Sequence, residues 1–285
     1  VHNIHTHEVT LERIENAGID AAEFWQNLYF ARPPACYEET RSTNPADLLA
    51  SGIFAAHFIN TVSPTFLQEI VRGEHDFVPH AIRQEMSAKN AAGCAVGVLN
   101  APDDSYNPTT DAALPLNYTA DTHVAGKLAC KRALQERLSL ERNDNAPILF
   151  WPSRLDPAQK GCQLLAEILY RIVHEHWDSG LQVAVVANGG YQRIFHDIVA
   201  MHDIHHRVAI HDFDENLSRL GYAASDFTLM PSLFEPCGLP QMVASIYGSM
   251  PIVRDTGGLH DTVTMLSDAG DHGNGVIFRD YDANA

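Results

Sequence analysis

The fold of this chain is decided by Pro231-Ser-Leu-Phe-Glu-Pro-Cys-Gly-Leu-Pro-Gln-Met-Val-Ala-Ser-Ile-Tyr-Gly248 and its continuation, Met250-Pro-Ile-Val-Arg-Asp-Thr-Gly-Gly-Leu259. Before it stands Phe227–Met230, a short apolar run that is typical of a buried parallel strand. Gly238 opens a helix with its apolar residues on one face, and Ile252-Val253 is expected to form the next strand. The stretch therefore predicts two strand-to-loop turns at one edge of an open α/β sheet, where such sheets bind ligands.

A lone carboxylate and a glycine pair lie in this stretch. Glu235 follows the first strand, and Thr256-Gly257-Gly258 is expected to form a loop after the second. Backbone N–H groups at a helix start, together with a loop that carries no side chains, can bind a phosphate or diphosphate. The sequence therefore predicts an anion site beside Glu235.

Composition excludes several classes of partner. The 285 residues carry a formal net charge of −17 and no basic cluster, which argues against nucleic acid or an anionic membrane. The five cysteines are scattered and form no C-x-x-C, so we expect free thiols in a reducing cytoplasm. No apolar run is long enough to cross a bilayer.

From Pro147 onward, strand and helix patterns alternate. Repeated βαβ units predict a parallel, doubly wound sheet, an α/β fold. The predicted strands are Ile148–Trp151, Leu181–Ala187, Val208–Ile210, Phe227–Met230, Pro251–Arg254 and Val276–Phe278. The predicted helices are Gly161–Trp177, Tyr191–Met201, Asp214–Ala223, Gln241–Tyr247 and His260–Leu266.

Two motifs in the opening stretch resemble the donor-sugar loop of the glycogen and starch synthases. They are Phe234-Glu-Pro-Cys-Gly-Leu239 and Pro251-Ile-Val-Arg-Asp-Thr-Gly-Gly-Leu-His-Asp-Thr-Val263. The resemblance implies the GT-B fold, with two Rossmann-like domains built on parallel sheets, of which the N-terminal one is expected to be incomplete. It divides the chain into 1–96, a remnant of the acceptor-side domain, and 97–285, the domain that binds the nucleotide sugar.

The resemblance extends to other segments in the family's order. They include Ile59–Ile70, Gly97-Val-Leu-Asn100 at the expected crossing between domains, and the amphipathic stretch from Lys127 to Leu140. Pro240 departs from the family, which has Thr or Asn beside the sugar, so one donor contact is expected to be lost.

Two cations occupy the mouth of a predicted βα loop, in Ser153-Arg-Leu155 and Gln159-Lys-Gly161. Such a pair can neutralise a diphosphate through charge-assisted hydrogen bonds. Lys160 alone could also be a solvated surface residue, but the pair is harder to explain that way, because a cation at a helix N-terminus opposes the helix dipole. The related stretch of the synthases binds the diphosphate.

The resemblance implies a full set of site residues. Glu235 would stabilise the positive sugar carbon, and His2 would face the sugar from the other domain, although His2 could instead be a strand-end histidine bonded to backbone. Phe213 would stack on adenine, although a buried core position is the alternative. The catalytic residues are then Glu235 and His2, Asn3 lies on the acceptor side, and the donor-binding residues are Arg154, Lys160, Asn100, Phe213, Cys237, Gly238, Leu239, Thr256, Gly257 and Gly258.

The implied activity is an ADP-glucose-dependent, retaining α-1,4-glucan synthase, with ADP-glucose and an α-glucan as its partners and no cofactor or metal. Another GT-B transferase that uses UDP-glucose or a different acceptor remains an alternative. A more remote one is a metal-binding protein, because the chain has sixteen histidines and imidazole is a common metal ligand.

The two ends predict that the sequence is a piece of a longer enzyme. It begins at Val1-His-Asn3, which matches a tripeptide that ends a strand in the synthases, and it contains no K-x-G-G-L loop. Catalysis needs both walls of a cleft, because positioning supplies much of the barrier reduction. We therefore expect the chain alone to bind ADP and not to elongate glucan; the sequence does not predict its oligomeric state.

Overall fold

The computed structural model describes residues 1–284, and Ala285 lies outside the described residues. The chain separates into two compact units, Val1–Leu99 and Asn100–Ala285. The sequence placed the start of the second domain at Gly97. No helix of the described part has the length and apolar character needed to cross a membrane.

The first unit combines short strands with five α-helices and two 3-10 turns. Strands β1, β3 and β2 form an antiparallel sheet in that order, whereas β4 and β5 pair in parallel. The elements are β1 (Glu8–Val9), α1 (Leu11–Asn16), 3-10 turns (Ala21–Glu23, Trp25–Asn27), β2 (Tyr29–Phe30), α2 (Tyr37–Thr40), β3 (Ala46–Asp47), α3 (Leu48–Ala55), β4 (Ile59–Thr61), α4 (Pro64–Arg72), α5 (His80–Ala91) and β5 (Ala95–Gly97).

Helix α4 has a well-formed start, whereas the first residues of the chain form no regular element. Ser63 caps α4 by accepting a hydrogen bond from the N–H of Phe66 at 2.9 Å, with Pro64 in the first turn. The resemblance placed the end of a strand at Val1-His-Asn3, but residues 1–7 form no strand. The amino group of Val1 donates instead to the Asn60 carbonyl at 2.5 Å, a single contact that does not make a ladder.

The second unit is built on a six-stranded, all-parallel sheet in the order β11-β10-β9-β6-β7-β8. Alternating strands and helices cover it as the periodicity predicts. The elements are α6 (His123–Arg137), β6 (Ile148–Trp151), α7 (Cys162–Glu175), β7 (Gln182–Val186), α8 (Gln192–His202), β8 (Val208–His211), α9 (Glu215–Ala224), β9 (Phe227–Met230), α10 (Pro240–Ile246), β10 (Met250–Arg254), α11 (Gly257–Thr262) and β11 (Val276–Phe278).

Both faces of this sheet are buried. Successive residues of β7 face opposite clusters: Val183 and Val185 pack with residues of α7 and α8, whereas Ala184 and Val186 pack with residues of α6, α9 and α10. Because strands buried on both faces need apolar residues throughout, they read as continuous apolar runs. The doubly wound α/β prediction is confirmed.

The predicted elements match closely, with one difference that affects the site. Phe227–Met230 is a strand with the predicted bounds, but Gly257 and Gly258 begin helix α11 after Thr256 and do not form an open loop. The predicted helix His260–Leu266 therefore starts three residues too late and ends too late. Paired glycines suggested a loop because glycine is a poor interior helix residue, but a first turn tolerates it.

A half-buried lysine ties three helices together. The ammonium of Lys127, on α6, donates to the carbonyls of Ala223 and Ser225 at 3.0 and 2.9 Å, and to that of Tyr247 at 3.3 Å. These carbonyls lie at the C-terminal ends of α9 and α10, where a cation is favourable. Burial lowers the pKa of Lys127 to about 8, so desolvation opposes part of this gain.

Lys127→Met tests whether the hydrogen bonds of the ammonium group outweigh the cost of its desolvation. Losing three charge-assisted hydrogen bonds is expected to lower the free energy of unfolding by about 1–3 kcal/mol, measured by urea denaturation. Arg193→Met, at an exposed position of α8, is the control and should leave the midpoint unchanged. A stability equal to that of the wild type would mean that desolvation cancels the hydrogen bonds.

Candidate active site

The candidate site lies at the carboxyl edge of the six-stranded sheet, where the strand order reverses. Strand β6 has β7 on one side and β9 on the other, so the chain winds outward from β6 in both directions. The loops that follow β6 and β9 then leave the edge side by side. This is the switch point at which open α/β sheets bind ligands.

The two loops touch backbone to backbone. Gly161 has a positive φ of 72°, and a methyl group placed on it would lie 2.2 Å from the carbonyl oxygen of Pro231. The N–H of Leu233 donates to the carbonyl of Gln159 at 2.8 Å. These contacts hold the loop that carries Lys160 against the loop that carries Glu235.

Lys160 and Glu235 form a buried ion pair. The Lys160 ammonium lies 2.6 Å from Oε2 of Glu235, and the two side chains are only 12% and 6% exposed. The Ser232 hydroxyl donates to the same oxygen at 3.1 Å. Oε1 of Glu235 accepts no hydrogen bond from the described residues. The structure therefore brings together the carboxylate assigned to the sugar and one cation assigned to the diphosphate.

Arg154 lies on the same loop as Lys160 but is exposed. Its guanidinium contacts the side-chain oxygen of Gln159 at 3.4 Å. Ser153, next to it, is buried, and its hydroxyl has no hydrogen-bond partner among the described residues. The loop after β6 thus offers one exposed cation and one buried, unpaired hydroxyl.

The glycine pair of α11 holds the Glu235 loop in place. The N–H of Gly258 donates to the backbone carbonyl of Glu235 at 2.9 Å. A methyl group on Gly258 would lie 1.9 Å from the carbonyl oxygen of Cys237, so only glycine fits there. Thr256, just before the helix, is buried. Because the Gly258 N–H is already bonded, this donor supports the loop in this structure.

The remaining part of the loop after β9 turns at a glycine. Gly238 has a positive φ of 72°, and Leu239 after it is exposed. Cys237 is buried, and burial raises the pKa of its thiol, while the nearby backbone of Asn100 opposes the shift. The structure thus places Asn100 beside the loop that carries Glu235.

Phe213 follows β8 at the same edge of the sheet. It is 49% exposed, and its N–H donates to the Asn188 side chain at 2.9 Å. The alternative of a buried core phenylalanine is therefore wrong. Its exposed ring is free to stack on a planar base.

His2 and Asn3 belong to the first unit. His2 is exposed, and Asn3 accepts a hydrogen bond from the N–H of Ile4 at 2.7 Å. Their roles toward a donor or acceptor remain predictions. Within residues 1–284, no three His, Cys, Asp or Glu residues group as metal ligands.

The sequence analysis missed two residues that shape the site, Ser232 and Arg254. Ser232 donates to the Glu235 carboxylate. The guanidinium of Arg254 donates to the carbonyl of Leu233 at 2.7 Å and to that of Arg279 at 3.1 Å. The sequence signal for Arg254 was its position as a cation at the end of the apolar strand β10. That position is equally compatible with a contact to a ligand and with a contact to neighbouring backbone carbonyls.

Three comparisons with known proteins relate this geometry to a family. Residues 146–285 match the family model described as "Glycosyl transferases group 1". A glycogen synthase of Anoxybacillus flavithermus is 36% identical over 239 residues, which cover 83% of this chain and 47% of that protein. Soluble starch synthase 3a of rice is 41% identical over 227 residues, which cover 74% of this chain and 11% of that protein.

A solved structure covers almost the whole chain. The catalytic domain of starch synthase IV from Arabidopsis thaliana, bound to ADP and acarbose, superposes with a TM-score of 0.79 at 31% identity. The match covers 99% of this chain and 55% of that one. The chain spans about half the length of the glycogen synthases it matches. The resemblance to the glycogen and starch synthases and the GT-B fold class that it implied are confirmed.

Gly258→Ala tests whether the contact with Cys237 fixes the loop. Its methyl group must displace the Cys237 carbonyl, so we expect the free energy of unfolding to fall by about 1–3 kcal/mol in chemical denaturation. Gly190→Ala is the matched control, because a methyl group there meets nothing within 4 Å. Equal stability of the two variants would show that the Glu235 loop moves aside without cost.

Proposed function

The chain belongs to the family of the glycogen and starch synthases, and from this premise we propose that it takes part in elongating an α-1,4-glucan from ADP-glucose with retention at the anomeric carbon. The observation that carries the proposal is the buried pair of Lys160 and Glu235 at the switch point of the sheet. A cation and a carboxylate side by side suit a donor with an anionic leaving group and a carbon that becomes positive.

The leaving group is the first requirement of this reaction. Arg154 and Lys160 are proposed to bind the diphosphate, with the start of α11 at Thr256-Gly257-Gly258 facing the same edge. As the bond from the sugar C1 to the diphosphate oxygen breaks, the negative charge grows on that oxygen. Cations positioned there stabilise it most in the transition state, which is what accelerates a reaction.

The sugar carbon is the second requirement. The Glu235 carboxylate is proposed to face the glucose, with Oε1 available because Ser232 and Lys160 occupy Oε2. A negative charge there favours the oxocarbenium-like carbon. The acceptor's 4-hydroxyl then bonds to C1 on the face the diphosphate leaves, and its proton departs with the ADP.

The remaining site residues are assigned by the same proposal. Phe213 stacks on the adenine, and Asn100 lies beside the loop at Cys237, Gly238 and Leu239 that borders the sugar. His2 is assigned to the sugar and Asn3 to the acceptor side, as the family resemblance implies. The chemistry proposed here uses side chains and backbone alone, with ADP-glucose as substrate and no resident cofactor.

The location proposed for the protein is the cytoplasm. All five cysteines are free thiols, three of them buried, which suits a reducing compartment.

The diphosphate assignment predicts a difference between two ligands. Arg154→Ala and Lys160→Ala are each expected to weaken ADP by roughly 10–100-fold, the value of one charge-assisted hydrogen bond. Adenosine, which has no diphosphate, should bind all forms equally in isothermal titration calorimetry. Arg193→Ala is the control, and a UDP titration of the wild type tests the base. Equal losses for ADP and adenosine would exclude a diphosphate contact.

The assignment of Glu235 predicts a loss in transfer. Glu235→Gln keeps the size of the side chain and removes its charge, so in the complete enzyme, rather than in this chain alone, incorporation of radiolabelled glucose from ADP-glucose into glycogen should fall roughly 10²–10³-fold. Asp144→Asn, which removes an exposed carboxylate paired with Arg132, should retain full incorporation. Turnover of Glu235→Gln at the wild-type rate would remove Glu235 from the reaction.

A further inference from the structure

The single ammonium group of Lys160 has one partner in this structure and a different one in the proposed function. In this structure its described side-chain partner is Oε2 of Glu235, at 2.6 Å. In the proposed function it binds the diphosphate of the donor. A buried pair this short is not broken without a replacement, because an uncompensated buried charge is strongly unfavourable.

The two ends of the pair differ in their freedom to move. The Glu235 backbone is held by the N–H of Gly258, and its carboxylate is held by the Ser232 hydroxyl. The Lys160 backbone is fixed too, since its N–H donates to the Asp156 carbonyl at 2.8 Å. Its ammonium, however, sits on a flexible four-carbon stem. When a ligand arrives, the lysine side chain is the part that can turn.

We propose that Glu235 and the donor's diphosphate compete for the Lys160 ammonium, so that Glu235 weakens nucleotide binding and the bound donor releases Glu235 for the sugar. This inference rests on the proposed function and adds a link between its two halves. When Lys160 turns to the diphosphate, Ser232 still holds Oε2, and the carboxylate loses its neutralising cation. The negative charge facing the sugar carbon is therefore largest only when a donor is bound.

A simpler effect would also make Glu235 oppose nucleotide binding. Two negative groups in one cleft repel each other through space, whether or not they share a cation. The two explanations differ in their dependence on Lys160. Competition disappears when Lys160 is removed, whereas repulsion remains.

The test is a double-mutant cycle on ADP affinity, measured by isothermal titration calorimetry on the full chain. Glu235→Gln is expected to tighten ADP by about tenfold, which is about 1.4 kcal/mol. Lys160→Met should weaken ADP, and adding Glu235→Gln to Lys160→Met should give no further change. Asp144→Asn is the control for removing one negative charge elsewhere on the second unit, and it should match the wild type.

Glu235→Asp is a second variant that separates competition from simple repulsion. It keeps the negative charge but withdraws the carboxylate from Lys160 by one methylene group, so it should show most of the gain in ADP affinity expected for Glu235→Gln. Thermal unfolding of each variant checks that it is folded.

The outcomes distinguish a failure of this inference from a failure of the proposed function. A tenfold gain that persists without Lys160 overturns the competition, and so does unchanged or weaker ADP binding in both Glu235 variants. In either case a loss in Lys160→Met still supports the proposed site. A wild-type chain that binds neither ADP nor UDP overturns both.

Discussion

Burial of the six-stranded sheet on both faces is the constraint on which the second unit depends. Helices cover each face, and the strands are largely apolar, so the polar side chains of the candidate site lie in the loops at the ends of the strands. At the carboxyl ends of β6 and β9, two loops leave the sheet together and bring Lys160 and Glu235 within 2.6 Å. Residues 75 positions apart in the chain thus form one electrostatic unit.

The fold of this unit could be predicted from sequence because its determinants are local. Apolar runs of three to seven residues predicted the strands, and Phe227–Met230 and Val276–Phe278 have the predicted bounds. Two expectations failed. The resemblance placed the end of a strand at Val1-His-Asn3, but residues 1–7 form no strand, because a strand needs a partner ladder that its own residues do not specify. The glycine pair was read as a loop because composition does not show that Thr256 precedes a helical turn.

The loops that carry the assigned residues could be predicted from the sequence, but the contacts of those residues could not. Glu235, Arg154 and Lys160 were chosen by position in a motif, and position says which loop a residue occupies, not which atom it meets. The pairing of Lys160 with Glu235, and the support from Ser232 and Arg254, arise from two neighbouring loops packing at the switch point. Only three-dimensional packing decides whether a cation faces a ligand, a carboxylate or a carbonyl.

The close approaches at Gly161 and Gly258 have a consequence for how such a protein can change over generations. Both join main chain to main chain, at Pro231 and at Cys237, so no side chain is available there to vary. Substitutions among the surrounding side chains leave this frame intact. Phe213 and Leu239 are exposed at the same edge and take no part in these two contacts, so a lineage could change them, and with them what it recognises, without rebuilding the part of the molecule that aligns its charges.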